Sequence, residues 1–297
     1  MSGFLLNPYA YGGGSITLQS GNILSPGTET TISYTGTLGY FDVLGEVTVD
    51  ITAYGGAGGR GAWAGTNEPG GPGGIAKGRY ILGTGRYYYF VGNGNISISG
   101  KGGPGGGSTD VRTVYSNGTS FSLDSFMQSA SLNSRIIVAG GGGGAHGGGY
   151  GAWGTSNSPG AGGPTKTDTN SRGTNDNGFL DTGADSTQAG LDGGSSVHAS
   201  YTKSGVYGAG GIVTSQYNVY TSSSSFTGMG WPNGGSGTTY ANGGGGGGWY
   251  GGASNWPNGG GGSNYLQSYG SATLVSQILN TSNGSAGDGS LIIQRVS

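Results

Sequence analysis

The sequence predicts a mainly β fold, and three observations carry that prediction. Residues 46–54 alternate strictly, with Val47, Val49, Ile51 and Ala53 on one face and polar residues opposite until Tyr54; this is the period-two pattern of a half-buried strand. Other short runs share a β-branched and aromatic bias and are punctuated by glycine turns. Third, glycine supplies 75 of 297 residues, in tracts that directly continue strand-like runs, as Ile136-Ile137-Val138-Ala139 runs into Gly140.

Taken in order, strands are expected at 33–34, 38–44, 46–54 and 86–91, the last carrying a Tyr-Tyr-Tyr-Phe run. Further strands are expected at 95–99, 134–139 and 290–296. Only 120–131 and 274–279 look briefly helical. A final strand so far along the chain implies that the C-terminal segment returns to close the N-terminal sheet.

Between the strands lie glycine tracts at 55–59, 70–74, 102–107, 140–144, 147–149, 160–163, 243–248 and 259–262. A flexible linker is one reading of such runs. Recurrence, flanking aromatics such as Trp63, Trp153, Trp249 and Trp256, and continuation from strands favour order instead. A glycine run has no side chain to bury, and an extended threefold helix makes no internal hydrogen bonds. Its N–H and C=O groups must then pair with neighbouring segments or with water. Each ordered glycine costs about 0.5–1 kcal/mol relative to alanine. One isolated tract would not offset that; a cooperative bundle anchored on a β core would.

Composition narrows the function classes. Charged residues are only 8% of the chain and the formal net charge is −2, which argues against nucleic acid as a partner, since that affinity needs clustered cations. There are no cysteines and 2 histidines, so disulfides, thiolate metal sites and cysteine nucleophiles are excluded. No apolar stretch reaches the roughly 20 residues of a membrane span. Residues 1–8 lack the basic and long apolar regions of a secretory signal. Neither an enzyme nor a cofactor is expected.

The ordered set of motifs carries a resemblance. Val49-Asp50-Ile51-Thr52-Ala53-Tyr54-Gly55-Gly56-Ala57-Gly58-Gly59-Arg60-Gly61 and Gly70-Gly71-Pro72-Gly73-Gly74-Ile75-Ala76-Lys77-Gly78 open it. Tyr89-Phe90-Val91-Gly92, the run from Ser134 to Ala145, Gly247-Gly248-Trp249-Tyr250-Gly251-Gly252 and the run from Gly259 to Tyr265 continue it. Over roughly residues 40–297 the chain resembles the glycine-rich domain of the anaplastic lymphoma kinase and leukocyte tyrosine kinase receptors. That resemblance implies a tumour-necrosis-factor-like β-sandwich fused to a bundle of polyglycine II helices. The receptors' disulfides and their leader, transmembrane and kinase segments have no counterpart in this sequence, so signalling is not carried over. Similar modules occur in bacterial surface proteins and phage tail-tip adhesins, and Phe4 to Gly12 looks like a short segment common in phage virion proteins.

The organisation expected is an attachment segment with first strands at 1–45, sandwich strands with the first glycine tracts at 46–139, a glycine bundle at 140–270, and a returning strand at 271–297. Residues 165–239 interrupt the tracts and are rich in Ser, Thr, Asn, Asp and Tyr, the composition of surface loops that carry binding. Tyr201, Tyr207, Tyr217, Tyr220 and Trp231 form the candidate recognition surface, as stacking faces for sugars; covering the bundle is the alternative role. Asp168, Asp176, Asp181, Asp185 and Asp192 offer oxygens to calcium, but Asn175-Asp176-Asn177-Gly178 breaks the EF-hand alternation. The Asn117 and Asn280 sequons read as turns, and His146 and His198 receive no role.

The expected function is a noncatalytic virion protein, either a phage tail-fibre or adhesin element or a capsid decoration. Its expected partners are other virion proteins through the N-terminal segment and a host-surface glycan or protein through the loops. No nucleic acid and no membrane insertion are expected, and homo-oligomerisation stays open. The alternative is a bacterial cell-surface adhesin or an extracellular matrix or filament protein assembling through glycine faces.

Overall fold

A computed structural model describes residues 14–62, 69–94, 97–99, 103–114, 129–145, 173–174, 180–181, 245–252, 259–281 and 287–297. The strands are β1 (Ser15–Leu18), β2 (Ile23–Leu24), β3 (Glu29–Ser33), β4 (Gly39–Leu44), β5 (Val47–Tyr54), β6 (Arg60–Ala62), β7 (Ile75–Leu82) and β8 (Gly85–Phe90). They continue as β9 (Ser97–Ser99), β10 (Thr109–Arg112), β11 (Arg135–Ala139), β12 (Gly173–Thr174), β13 (Leu180–Asp181), β14 (Tyr265–Leu266), β15 (Ala272–Thr281) and β16 (Ser290–Arg295). One short helix, α1 (Ser129–Asn133), precedes β11.

Two antiparallel sheets share one apolar core. The seven-stranded sheet runs β14-β11-β10-β8-β4-β1-β2 and the five-stranded sheet runs β15-β7-β5-β16-β3. Alternation on β5 sends Val47, Val49, Ile51 and Ala53 inward, where they meet Phe41, Tyr87, Ile137, Leu291 and Ile293 from both sheets. The C-terminal strand does return: β16 lies between β5 and β3, with Leu291 opposite Ala53 and Ile32. The outer face of β5 is less open than its polar residues suggest. Arg79 donates to both carboxylate oxygens of Asp50, at 2.6 and 2.8 Å, and Asp50 is only 7% exposed.

The expected helix at 274–279 is overturned: these residues lie in β15, paired with β7. The physical reason is antiparallel pairing along the length of β7, which holds the segment extended and accommodates two bulges. Leu274 faces Tyr80 and Ser276 faces Arg79, then Gln277 faces Gly78 and Leu279 faces Lys77, so Val275 and Ile278 are each an extra residue. Each bulge shifts the side-chain alternation by one. The helical spacing of Leu274, Val275, Ile278 and Leu279 does not make one buried face: Leu274 packs against the core, whereas Val275, Ile278 and Leu279 are exposed. The helix expected at 120–131 overlaps α1 at its last residues, and its earlier part lies outside the described residues.

At one end of the sandwich, strands of both sheets pass into glycine tracts. β5, β8 and β11 run out into 55–59, 91–94 and 140–145, while 70–74, 103–108, 259–264 and 287–289 lead back into β7, β10, β14 and β16. The carbonyls of residues 140–145 accept, in order, from the amides of Gly74, Gly262, Gly106, Gly71, Gly259 and Gly103. The direction thus rotates among three neighbouring tracts and returns every third residue. Residues 55–59 repeat the rule on their donor side: Gly55 and Gly58 donate to Gly74 and Gly71, Gly56 and Gly59 donate to Gly107 and Pro104, and Ala57 donates to Gly287. Donor–acceptor distances in these contacts are 2.6–3.0 Å, ordinary for strong amide bonds. The backbones lie so close that a methyl built on Gly58 would overlap the Gly143 carbonyl, and one on Gly142 would overlap that of Gly71. Only glycine fits such an approach.

Candidate site at the far end of the glycine bundle

The two ends of the molecule differ in what they hold. At the sandwich end, Gly14 lies against Glu46 and Val47, and Ser297 exchanges backbone hydrogen bonds with Thr48. Arg295, only 5% exposed, donates to the carbonyls of Leu24 and Gly14. One buried guanidinium therefore ties the first and last described segments together, using donors that match several carbonyls at once.

At the far end of the bundle, Ala145 donates to the Gly59 carbonyl at 3.1 Å and accepts from Gly103 at 2.8 Å. Residues 146–244 leave from that point. The chain returns at Gly245, whose carbonyl lies against Gly105, two residues along the same tract. Both ends of the long polar segment are therefore pinned beside residues 103–105. Beyond Gly59 the chain continues as β6, which pairs in parallel with β9, Arg60 opposite Ser97.

Polar side chains fasten the bundle to the sheets. The Asn264 amide oxygen accepts from Gly140 N–H at 2.7 Å, and its nitrogen donates to the Ile75 and Thr281 carbonyls and to the Asn280 side-chain oxygen. Thr109 donates to the Tyr54 carbonyl and accepts from Gly92 N–H. Arg135, 1% exposed, donates to the carbonyls of Leu132, Gly248 and Trp249. Its guanidinium lies 4.6 Å from the Trp249 ring centre, and Trp249 stacks on Tyr265 at 4.1 Å. Below it, Arg112 and Asp110 form an ion pair with both side chains 1% exposed, and Arg112 also donates to Ser131 of α1. Two residues apart on β10, they share one face of the strand.

Titration shifts report the same packing. Burial pushes the Tyr80 hydroxyl far above its ordinary range, and that hydroxyl donates to the Ile136 carbonyl at 2.8 Å. Tyr34 is also raised, first by burial and then by the Asp288 carboxylate. The Arg79 hydrogen bonds hold the Asp50 carboxyl below the usual carboxylate range.

Tyr201, Tyr207, Tyr217, Tyr220 and Trp231 lie outside the described residues, as do Asp168, Asp176, Asp185, Asp192, Asn117, His146 and His198. Asp181 closes the short β13. Asn280 sits in β15 with its amide oxygen engaged by Asn264. Among the described residues, no group of His, Cys, Asp and Glu is arranged to hold a metal ion, and no helix is long and apolar enough to cross a membrane. Sequence reasoning missed the buried anchors Arg112, Arg135 and Asn264; a single arginine beside a glycine tract is no signal until the tract's carbonyls are known to be buried. No protein-family model and no curated protein sequence matches this chain.

Proposed function

We propose that this chain is a noncatalytic virion structural protein, a phage tail-fibre or adhesin element or a capsid decoration, that presents residues 165–239 for attachment to a host surface. The observation that carries the reading is the molecule's polarity. Gly14 and Ser297 lie at the sandwich end, whereas residues 146–244 leave and return at the far end of the bundle. Attachment to other virion proteins through the N-terminal segment would then act at one pole and recognition at the other. On this reading the sandwich is tumour-necrosis-factor-like and the tracts are polyglycine II helices, in keeping with the three-residue recurrence of their hydrogen bonds. The resemblance to the receptor glycine-rich domains concerns this scaffold, not signalling. A loop set held by a stiff bundle loses less entropy on binding than a free loop.

The test exchanges residues 165–239 for a Gly/Ser segment of equal length and measures attachment to host cells, with circular dichroism as folding control. Lost attachment with unchanged folding is expected. Unchanged attachment would move recognition elsewhere, and lost folding would make the segment part of the core.

A further inference from the structure

The sandwich carries a depression of its own, at the end where Gly39 of β4 pairs with Tyr89 of β8 and β8 passes into residues 91–94, with a volume of about 300 Å³. It opens where the turn after β1 meets the connection from β3 to β4. Its floor is apolar: Ile32, Leu38 and the ring of Tyr89, all half-buried. Tyr89 lies across Gly39, whose missing Cβ leaves room for the ring, and burial raises the Tyr89 pKa. The rim is polar and exposed: Gln19, Thr35 and Thr37, with the two threonine hydroxyls hydrogen-bonded at 2.8 Å.

The chemistry of this lining selects a ligand class. None of the described residues lining it is Lys, Arg, His, Asp or Glu, so neither an anion nor a metal ion finds a counter-charge or ligand set. The Thr35–Thr37 pair uses one hydroxyl proton between its members, leaving one O–H donor and several lone pairs. The Gln19 amide adds donors and an acceptor. Adjacent groups that both donate and accept match the vicinal hydroxyls of a sugar, and an apolar floor matches its C–H face. The volume lies at the small end of ligand pockets.

We infer that this depression is a binding site for a neutral saccharide of one or two rings, gripped by Gln19, Thr35 and Thr37 and resting on Tyr89. It is independent of residues 165–239 and of the virion reading. With an open, exposed rim, the dissociation constant is on the order of 1 mM.

The experiment is calorimetric titration of the full chain with methyl α-glucoside, methyl β-galactoside, N-acetylglucosamine and lactose, each to about 20 mM, and with glucuronate as a charged control. Saturable binding of at least one neutral sugar, with weaker or absent glucuronate binding, is expected. The rim variant Q19A/T37V should weaken it at least tenfold without moving the melting temperature, because both positions are exposed. If that variant melts early, the single substitution Thr37→Val, which keeps the side-chain shape, serves instead and should weaken binding severalfold. No binding by any neutral sugar overturns the inference, and so does binding that the rim variants leave unchanged.

Discussion

In the sandwich, Phe41, Ile51 and Leu291 leave water by packing side chain against side chain. In the bundle, Gly58, Gly106 and Gly142 are equally buried with no side chain at all. The difference is in where the tolerance lies. A sheet holds neighbouring backbones roughly 4.8 Å apart in the hydrogen-bonding direction and uses the space above and below for side chains. The bundle has neighbours on several sides of a tract, every third amide pointing to the same one, and at Gly58, Gly106 and Gly142 it leaves no room for a Cβ. A core of side chains can adapt to a lost methyl; a core of main chains cannot accommodate a gained one.

The largest effect should therefore come from the smallest substitution. Gly142→Ala places a methyl against the Gly71 carbonyl and should cost on the order of 5 kcal/mol, seen as a fall of about 10 °C or more in melting temperature. Gly287→Ala is the control, since a Cβ there meets nothing within 4 Å; a shift of no more than about 0.5 kcal/mol is expected. Equal effects at the two positions would erase the contrast between the regions.

Next in size, Phe41→Ala removes a fully buried ring that stacks on Tyr87 at 5.3 Å and should cost about 3–5 kcal/mol by denaturant unfolding. Arg135→Met keeps much of the volume but leaves the carbonyls of Leu132, Gly248 and Trp249 without their donor. Roughly 3 kcal/mol is expected. Because Arg135 ties the bundle to the sandwich, Trp249 fluorescence should change with it, whereas Phe41→Ala should leave that signal native below the transition.

How much of this could be read from the sequence follows the same division. β5 was visible because its residues alternate in polarity, and β8, β11 and β16 because each carries a short aromatic or aliphatic run. β10 escaped notice because Thr109-Asp110-Val111-Arg112 is half charged, and only the fold reveals that the charges neutralise each other in a buried pair. β7 was hidden by Lys77, Gly78 and Arg79, and β15 by its two bulges. The glycine tracts announced that main-chain pairing was needed, but not which tract meets which. That pairing depends on residues far apart in sequence, such as Gly142 with Gly56 and Gly106. The polar anchors, Asn264 and Arg135, had no local pattern at all. The aromatic recognition surface expected at 201–231 rests on composition.

The smallest expected effect is one of pH. Hydrogen bonds from Arg79 and Arg86 lower the pKa values of Asp50 and Asp42. Both folded-state values then lie below the unfolded ones near 4, so each pair's contribution is complete above that pH and is lost as pH falls through the folded value. Stability should decline below about pH 4, and Asp50→Asn should flatten part of that decline. An unchanged acid limb in the variant would show that this pair sets none of it. Both arginines are substantially exposed, and exposed pairs contribute little.

The central claim is that the glycine tracts are a hydrogen-bonded core continuous with the strands. Native-state amide hydrogen exchange of a ¹⁵N-labelled chain tests it most directly. The amides of Gly55, Gly58, Gly74, Gly106 and Gly142, each donating to another tract's carbonyl, should exchange as slowly as those of Ile51 and Leu291 in the central strands, through global unfolding alone. Exchange of these glycines at the rate of an open chain, with Ile51 and Leu291 still protected, would make the tracts linkers and contradict the account.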